Sequence, residues 1–410
     1  MPVSRVRIYG QRPILVLFCA GLLSLTLLNL AEWMFIHALS VSFDPWALAA
    51  LLVAQFLLEQ DRRAAWITCA IGIALSFVLL RWQPSLGGFA EPISLGITSF
   101  TVLCITMLIW PERRDRAQLV LAAGLLVVIG QQISGVGQYF TTTEAMTFDH
   151  RAYLVDLSLG FNPVGVVLSA IEAMPEFLNT SVMHLLHLTY ATIMLMMASV
   201  VLLHLRNQST GWSLALAAFL LAGAAGGTLY HVFPAAGPFF AFATFPELPL
   251  TSALTPAPAV LDPHYIRNCM PSLHVTLALL IVINTNGLSR TVSTFAIIFA
   301  SSTIIATLAL GQHYLIDLIV AAPFTSAIQA MARSIVSSKW PSPGFWIGSA
   351  CVAGWLFVLV THVEWFLEVP GFTLIASALT LVVSVFAYTV DARNSPAAKR
   401  DLIRWAAIAP

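Results

Sequence analysis

Two histidines and one aspartate carry the chemistry that this sequence offers. Residues 268–280 read NCMPSLHVTLALL, so His274 follows Pro271-Ser272-Leu273 and opens an apolar helix. Residues 311–323 read GQHYLIDLIVAAP and set His313 and Asp317 four positions apart. On a helical turn that spacing puts both side chains on one face. A carboxylate there accepts the hydrogen bond of one imidazole nitrogen and leaves the other as a lone pair, fit to be a nucleophile or base. An ionisable group one turn into an apolar helix is costly and usually functional, and His313 gives Asp317 a reason to be there. The helix start at Pro271-Ser272 adds backbone N–H groups that favour an anion, phosphate above all. These are the parts of phosphoryl transfer. His313 attacks phosphorus and Asp317 holds its tautomer. His274 protonates the leaving oxygen, then deprotonates the incoming hydroxyl. The scheme calls for no metal ion and no cofactor.

The elements that position these residues must lie in a membrane. The chain has 410 residues, of which 59% are hydrophobic and only 9% charged, with a mean hydropathy of +0.86. A soluble domain carries about 25% charged residues. Apolar runs near the ~20 residues that span a bilayer as a helix occur at 13–30, 64–80, 93–110, 117–133, 182–203, 212–230, 291–310, 345–360 and 372–388. Shorter runs at 46–58, 273–283 and 315–331 bring the expectation to about twelve transmembrane helices, an all-α polytopic membrane protein. The net charge is zero and no basic block is present, so nucleic acid is not an expected partner. Cys19, Cys69, Cys104, Cys269 and Cys351 are scattered, which implies neither a disulfide framework nor a metal-binding pair.

The basic residues give the orientation. With alternating helices and an inner N-terminus, inner loops hold sixteen of the nineteen Lys and Arg residues, and outer loops hold only Arg81, Arg151 and Arg267. By the positive-inside rule both termini are then cytoplasmic, and His274 and His313 face the extracytoplasmic side together. Two outer loops are long. Residues 138–180 contain YLVDLSLGFNP and are broken by Asn162-Pro163 and Pro175, which suggests an interfacial or re-entrant segment. Residues 233–271 are rich in proline and aromatic residues, so a long helix is ruled out and the loop is free to line a polar cavity.

The pair P-S-L-H (271–274) and H-Y-x-x-D (313–317) resembles the type 2 phosphatidic acid phosphatase superfamily. The closest likeness is to its inositol phosphorylceramide synthase branch. YLVDLSLGFNP (153–163) and YHVFPAAGP (230–238) resemble that branch as well. The resemblance implies a six-helix catalytic core over residues 117–336. Residues 1–116 and 337–410 would then be additional transmembrane helices, the latter with a cytoplasmic tail. It also implies His313 as nucleophile, Asp317 as its orienting partner and His274 as acid/base. The sequence departs from the phosphatase pattern at its cations. Tyr230 and Gly237 stand where K-x6-R-P is expected, and Thr307 stands where an Arg six residues before the nucleophile is expected. The loss of these three cation positions favours the transferase branch.

Arg267 and His264 are the outer-loop candidates for the missing phosphate charge, with His231 beside them. Ser272 and Tyr230 are candidates for lining the site. Asp156 either pins the interfacial segment or contacts the acceptor. His184 and His187, one turn apart without a carboxylate or cysteine nearby in sequence, read as packing or interfacial residues. The leading expectation is a phosphotransferase that moves a phospho-headgroup from a membrane phospholipid, such as phosphatidylinositol, to a lipid or glycan hydroxyl. The alternative enzyme is a lipid phosphate or polyprenyl diphosphate phosphatase with water as acceptor. A transporter or flippase is the alternative from another class, but no matched pair of broken-helix repeats is present in the sequence.

Overall fold

A computed structural model describes residues 146–207, 209–242, 245, 259–260 and 267–393. The helices expected at 13–30, 46–58, 64–80, 93–110 and 117–133 lie outside the described residues, and so do the division at 116 and the tail after 393. The described chain is almost entirely helical. It runs β1 (Met146–Thr147), α1 (Asp149–Leu157), α2 (Pro163–Glu172), α3 (Glu176–Ala191), α4 (Ile193–Arg206), α5 (Gly211–Leu229) and α6 (Pro238–Ala241). It continues β2 (Ala259–Val260), α7 (Leu273–Asn284), α8 (Arg290–Ala309), α9 (Leu315–Ser337), α10 (Pro343–Thr361), α11 (Glu364–Glu368) and α12 (Phe372–Arg393). β1 and β2 pair antiparallel and tie the two long loops together.

Five of these helices, α5, α8, α9, α10 and α12, are long and apolar enough to cross a bilayer. The pair α3 and α4 makes a sixth span if it is counted as one helix bent by 56°. These helices are consistent with a multi-pass integral membrane protein. The single helix expected over 182–203 is thus broken at Thr192, the one residue between α3 and α4. The helix expected at 273–283 exists, but its 12 residues rise only about 18 Å, short of the ~30 Å hydrocarbon core. The segment before α3 breaks where its prolines predict. Asn162 caps α2 by accepting from the Gly165 N–H at 3.1 Å, Pro163 takes the first helical position, and Pro175 precedes α3.

Helix α9 is the central element and packs against α1, α5, α7, α10 and α12. Its side chains are buried along most of its length, Ile316, Val320, Phe324 and Ile328 among them. Close approach to α10 depends on Gly348, where a Cβ would lie 2.6 Å from the Pro323 carbonyl oxygen. At one end of the bundle Asn284 and Gln329 exchange amide hydrogen bonds of 3.0 and 3.3 Å between α7 and α9. His204 of α4 donates from Nε2 to the Asn284 carbonyl at 2.7 Å. Interhelical polar bonds of this kind contribute about 0.6 kcal/mol each on average and fix register more than they add stability. At the opposite end α5 and α8 finish and α7 and α9 begin, which brings three loops and two histidines together.

Candidate functional site

The floor of the site is a stack of three backbone segments, 233–238, 267–272 and 310–314. The Cys269 N–H donates to the Ala235 carbonyl at 3.0 Å, the Phe239 N–H to Gly311 at 2.8 Å, and the Ser272 N–H to the carbonyl of Asp317 at 3.3 Å. Gly237 is required at the tightest point. Its φ is +93°, a region that only glycine enters freely, and a Cβ there would lie 2.3 Å from the Gln312 carbonyl oxygen.

Helix α1 clamps this stack with two acids seven residues apart, two turns along one face. Asp149 accepts from the N–H groups of Ala236 (3.0 and 3.1 Å to its two oxygens) and Gly237 (2.9 Å), and from the Tyr314 hydroxyl at 2.8 Å. Asp156 accepts from the Leu315 N–H at 2.6 Å and the Ile316 N–H at 2.9 Å. The first N–H groups of a helix have no partner within it, so Asp156 caps α9 from a neighbouring helix. Burial pushes both carboxyls above their ordinary range, against the opposing pull of these backbone donors.

The histidines meet above that floor. His274 sits on the first turn of α7, whose N-cap Ser272 accepts from the Val275 N–H at 3.3 Å. Its ring stacks on Tyr190 of α3, with centroids 3.7 Å apart and planes 17° from parallel. His313 lies in the turn before α9, where its N–H donates to the Thr307 carbonyl at 3.2 Å. The His274 and His313 ring centroids are 6.1 Å apart. Given ~3 Å per contact, that gap accommodates one phosphorus centre with its oxygens. His313 is 1% exposed, and burial holds its imidazole at about 3, with the backbone of Cys269 pulling the other way. The ring is therefore neutral near pH 7, as a nucleophile must be.

Asp317 Oδ2 accepts from the Tyr314 N–H at 2.9 Å and stands 3.6 Å from His313 Nδ1. That separation is longer than a hydrogen bond. Catalytic hydrogen bonds in free enzymes often have this looseness and tighten when substrate binds. The Cys269 thiol, which donates to the Gln312 carbonyl at 3.1 Å, completes a buried trio. One ligand-capable atom from each of Cys269, His313 and Asp317 lies within 4.8 Å of the other two.

The remaining candidates are placed as follows. Arg267 is fully buried two residues before Cys269, Ser272 is buried, and Tyr230 is 1% exposed, close to Leu273, Cys269 and Tyr190. Asp156 has both oxygens engaged by backbone, the pinning arrangement. His264 lies outside the described residues, and His231 is exposed. Thr307 is buried and donates its hydroxyl to the Ile304 carbonyl at 2.7 Å. Sequence reasoning missed Asp149, Tyr314 and Cys269 as parts of the site. Asp149 and Asp156 had a readable signal, two acids seven residues apart in DHRAYLVDL. Cys269 had none.

Residues 151–331 match the family model of the PAP2 superfamily. The matched segment is less than half of the chain and contains both the P-S-L-H and the H-Y-x-x-D motifs. No curated protein and no solved structure matches the chain.

Proposed function

We propose that the protein is an integral-membrane phosphotransferase acting on a phospholipid at the extracytoplasmic face. The observation that carries this reading is the pair of imidazoles from α7 and the 310–314 turn, 6.1 Å apart at one end of the bundle. In the first half-reaction His313 forms an N–P bond with the donor's phosphodiester. The bond from phosphorus to the diacylglycerol oxygen breaks, and His274, neutral in the free enzyme and protonated beside the anionic phosphodiester, gives that oxygen its proton. In the second, His274 takes the proton of a lipid or glycan hydroxyl. The hydroxyl oxygen then bonds to phosphorus and the N–P bond breaks. Asp317 orients His313 and offsets the imidazolium charge, and the Asp317-facing nitrogen keeps its proton throughout.

Two features support transfer over hydrolysis. His313 is almost inaccessible, which disfavours free access of bulk water, and the positions of all three phosphatase cations are held by Tyr230, Gly237 and Thr307. Arg267 is the buried cation nearest in sequence to the site and supplies charge to the phosphate. The inositol phosphorylceramide synthase-like branch supplies the donor class, phosphatidylinositol or a related headgroup lipid. The test uses phospholipid labelled at phosphorus, presented to purified protein in mixed micelles with and without hydroxyl acceptors. Labelled product is expected only with acceptor, and a covalent adduct is expected in His274→Ala and not in His313→Ala. Release of free phosphate or free headgroup phosphate at full rate without acceptor refutes transfer. An adduct that persists in His313→Ala refutes the assignment of the nucleophile.

A further inference from the structure

We propose that Cys269, His313 and Asp317 form an inhibitory site for a soft divalent cation, zinc in the first instance. The set is a thiol, an imidazole and a carboxylate, all from residues 1% or less exposed, with one ligand-capable atom of each within 4.8 Å of the others. These are the three side-chain types that bind zinc, with bond lengths of about 2.0–2.3 Å. A second observation points to the same place. His313 Nδ1 and Asp317 Oδ1 are buried with no hydrogen-bond partner among the described residues, although most buried polar atoms have one. Nδ1 and Oδ2 at 3.6 Å are too far apart for a direct hydrogen bond. They are close to the roughly 3.3 Å edge of a tetrahedral zinc site built from ~2.05 Å bonds. With all three atoms within 4.8 Å of one another, the widest gap has to close by at most about 1.5 Å to meet the same geometry, a movement within reach of side-chain rotation. A fourth position stays open for water or a phosphate oxygen.

The consequence follows from imidazole chemistry and rests on His313 being the nucleophile. A metal on Nδ1 replaces the proton there, and the neutral ring then carries its single proton on Nε2. The lone pair that attacks phosphorus is gone. Cys269 releases its thiol proton to the buffer as it binds, so affinity rises with pH. The bound metal also occupies Asp317, and with it the group that offsets the imidazolium charge.

The test titrates cobalt(II), a spectroscopic stand-in for zinc, into chelator-treated full-length protein in detergent. One equivalent is expected to give a thiolate-to-cobalt absorption band that zinc abolishes. The band is expected to persist in Cys351→Ser and to vanish in Cys269→Ser. Asp317→Asn, which keeps the thiol, is expected to weaken cobalt binding by about tenfold or more. Melting curves and size-exclusion profiles identify any variant that fails to fold. No band in the wild-type protein, or a band that survives in Cys269→Ser, overturns the site. In activity assays zinc is expected to inhibit reversibly, with relief by chelator. Binding at Cys269 without inhibition leaves the metal site standing and overturns the inhibitory role together with His313 as nucleophile. Inhibition without the band assigns zinc elsewhere and overturns the proposal while leaving the phosphotransferase reading intact.

Discussion

Replacing Asp156 is the sharpest probe of how the site is held. Its two oxygens accept from the first two N–H groups of α9 at 2.6 and 2.9 Å, and the residue is 1% exposed. Hydrogen bonds to a charged group contribute about 1.5–3 kcal/mol each, so Asp156→Ala loses roughly 3–6 kcal/mol and leaves two buried donors without acceptors. The effect on rate comes through position. Leu315 directly follows His313-Tyr314, and Asp317 lies one residue beyond Ile316, so a loosened first turn moves His313 and Asp317 together. A displacement of about 1 Å at a reacting atom costs on the order of 100-fold in rate.

The assay measures thermal unfolding in detergent alongside kcat and KM for donor and acceptor separately. Asp156→Ala is expected to lower the melting midpoint and to reduce kcat about 100-fold with little change in either KM. Asp156→Asn keeps one acceptor oxygen but turns an NH2 group toward the second backbone N–H, so it is expected to fall between wild type and Ala in both readouts. A variant that melts normally and shows only a raised KM for acceptor refutes the capping argument and restores acceptor contact as the role of this residue.

Three further outcomes follow from the same geometry. Gly237→Ala, which drives a Cβ to within 2.3 Å of the Gln312 carbonyl oxygen at a positive φ, is expected to reduce folded yield or activity at least tenfold; wild-type behaviour in both would show that the loop stack is soft. Tyr190→Leu removes the ring stacked on His274 and is expected to lower kcat, whereas Tyr190→Phe keeps the stack and most of the activity; equal loss in both would assign the role to the hydroxyl instead. Because burial lowers His313 to about 3 from the ordinary ~6.5, the nucleophile stays unprotonated as pH falls from 7 to 5. The donor kcat/KM is therefore expected to show no acid limb from this group in that window, and a unit-slope decline beginning near 6.5 and assigned to His313 refutes the neutral-nucleophile argument.

The helices of the described region were legible because lipid demands long apolar runs, and α5, α8, α10 and α12 begin and end within a few residues of those runs. Two features were not. Residues 182–203 contain neither proline nor glycine, yet the helix breaks at Thr192. The Thr189 and Thr192 hydroxyls donate to the Leu185 and Leu188 carbonyls at 2.8 Å each, back-bonding of a kind that bends helices, and the bend leaves Tyr190 against His274. Helix α7 reads as a weak span because apolar composition reports environment and not length, and its N-terminal residues 271–272 belong to the loop stack instead.

The site divides along the same physical line. Which residue types could do chemistry was readable, since P-S-L-H and H-Y-x-x-D place the imidazoles and the carboxylate by local spacing alone. What clamps them was not, because the bonds from α1 join residues far apart in the chain. Asp149 reaches Ala236 across 87 positions and Tyr314 across 165, and Asp156 reaches Leu315 across 159. A hydrogen bond to backbone N–H leaves no residue signature at the donor, because every residue but proline carries that group. Only the acceptors are distinctive, and two acids two turns apart on a short helix have many ordinary explanations. The neighbourhood of His313 is thus a long-range construction. Helix α1 satisfies the loop after α5 with one carboxyl and the start of α9 with the other, so a change in α1 reaches His313 without touching it.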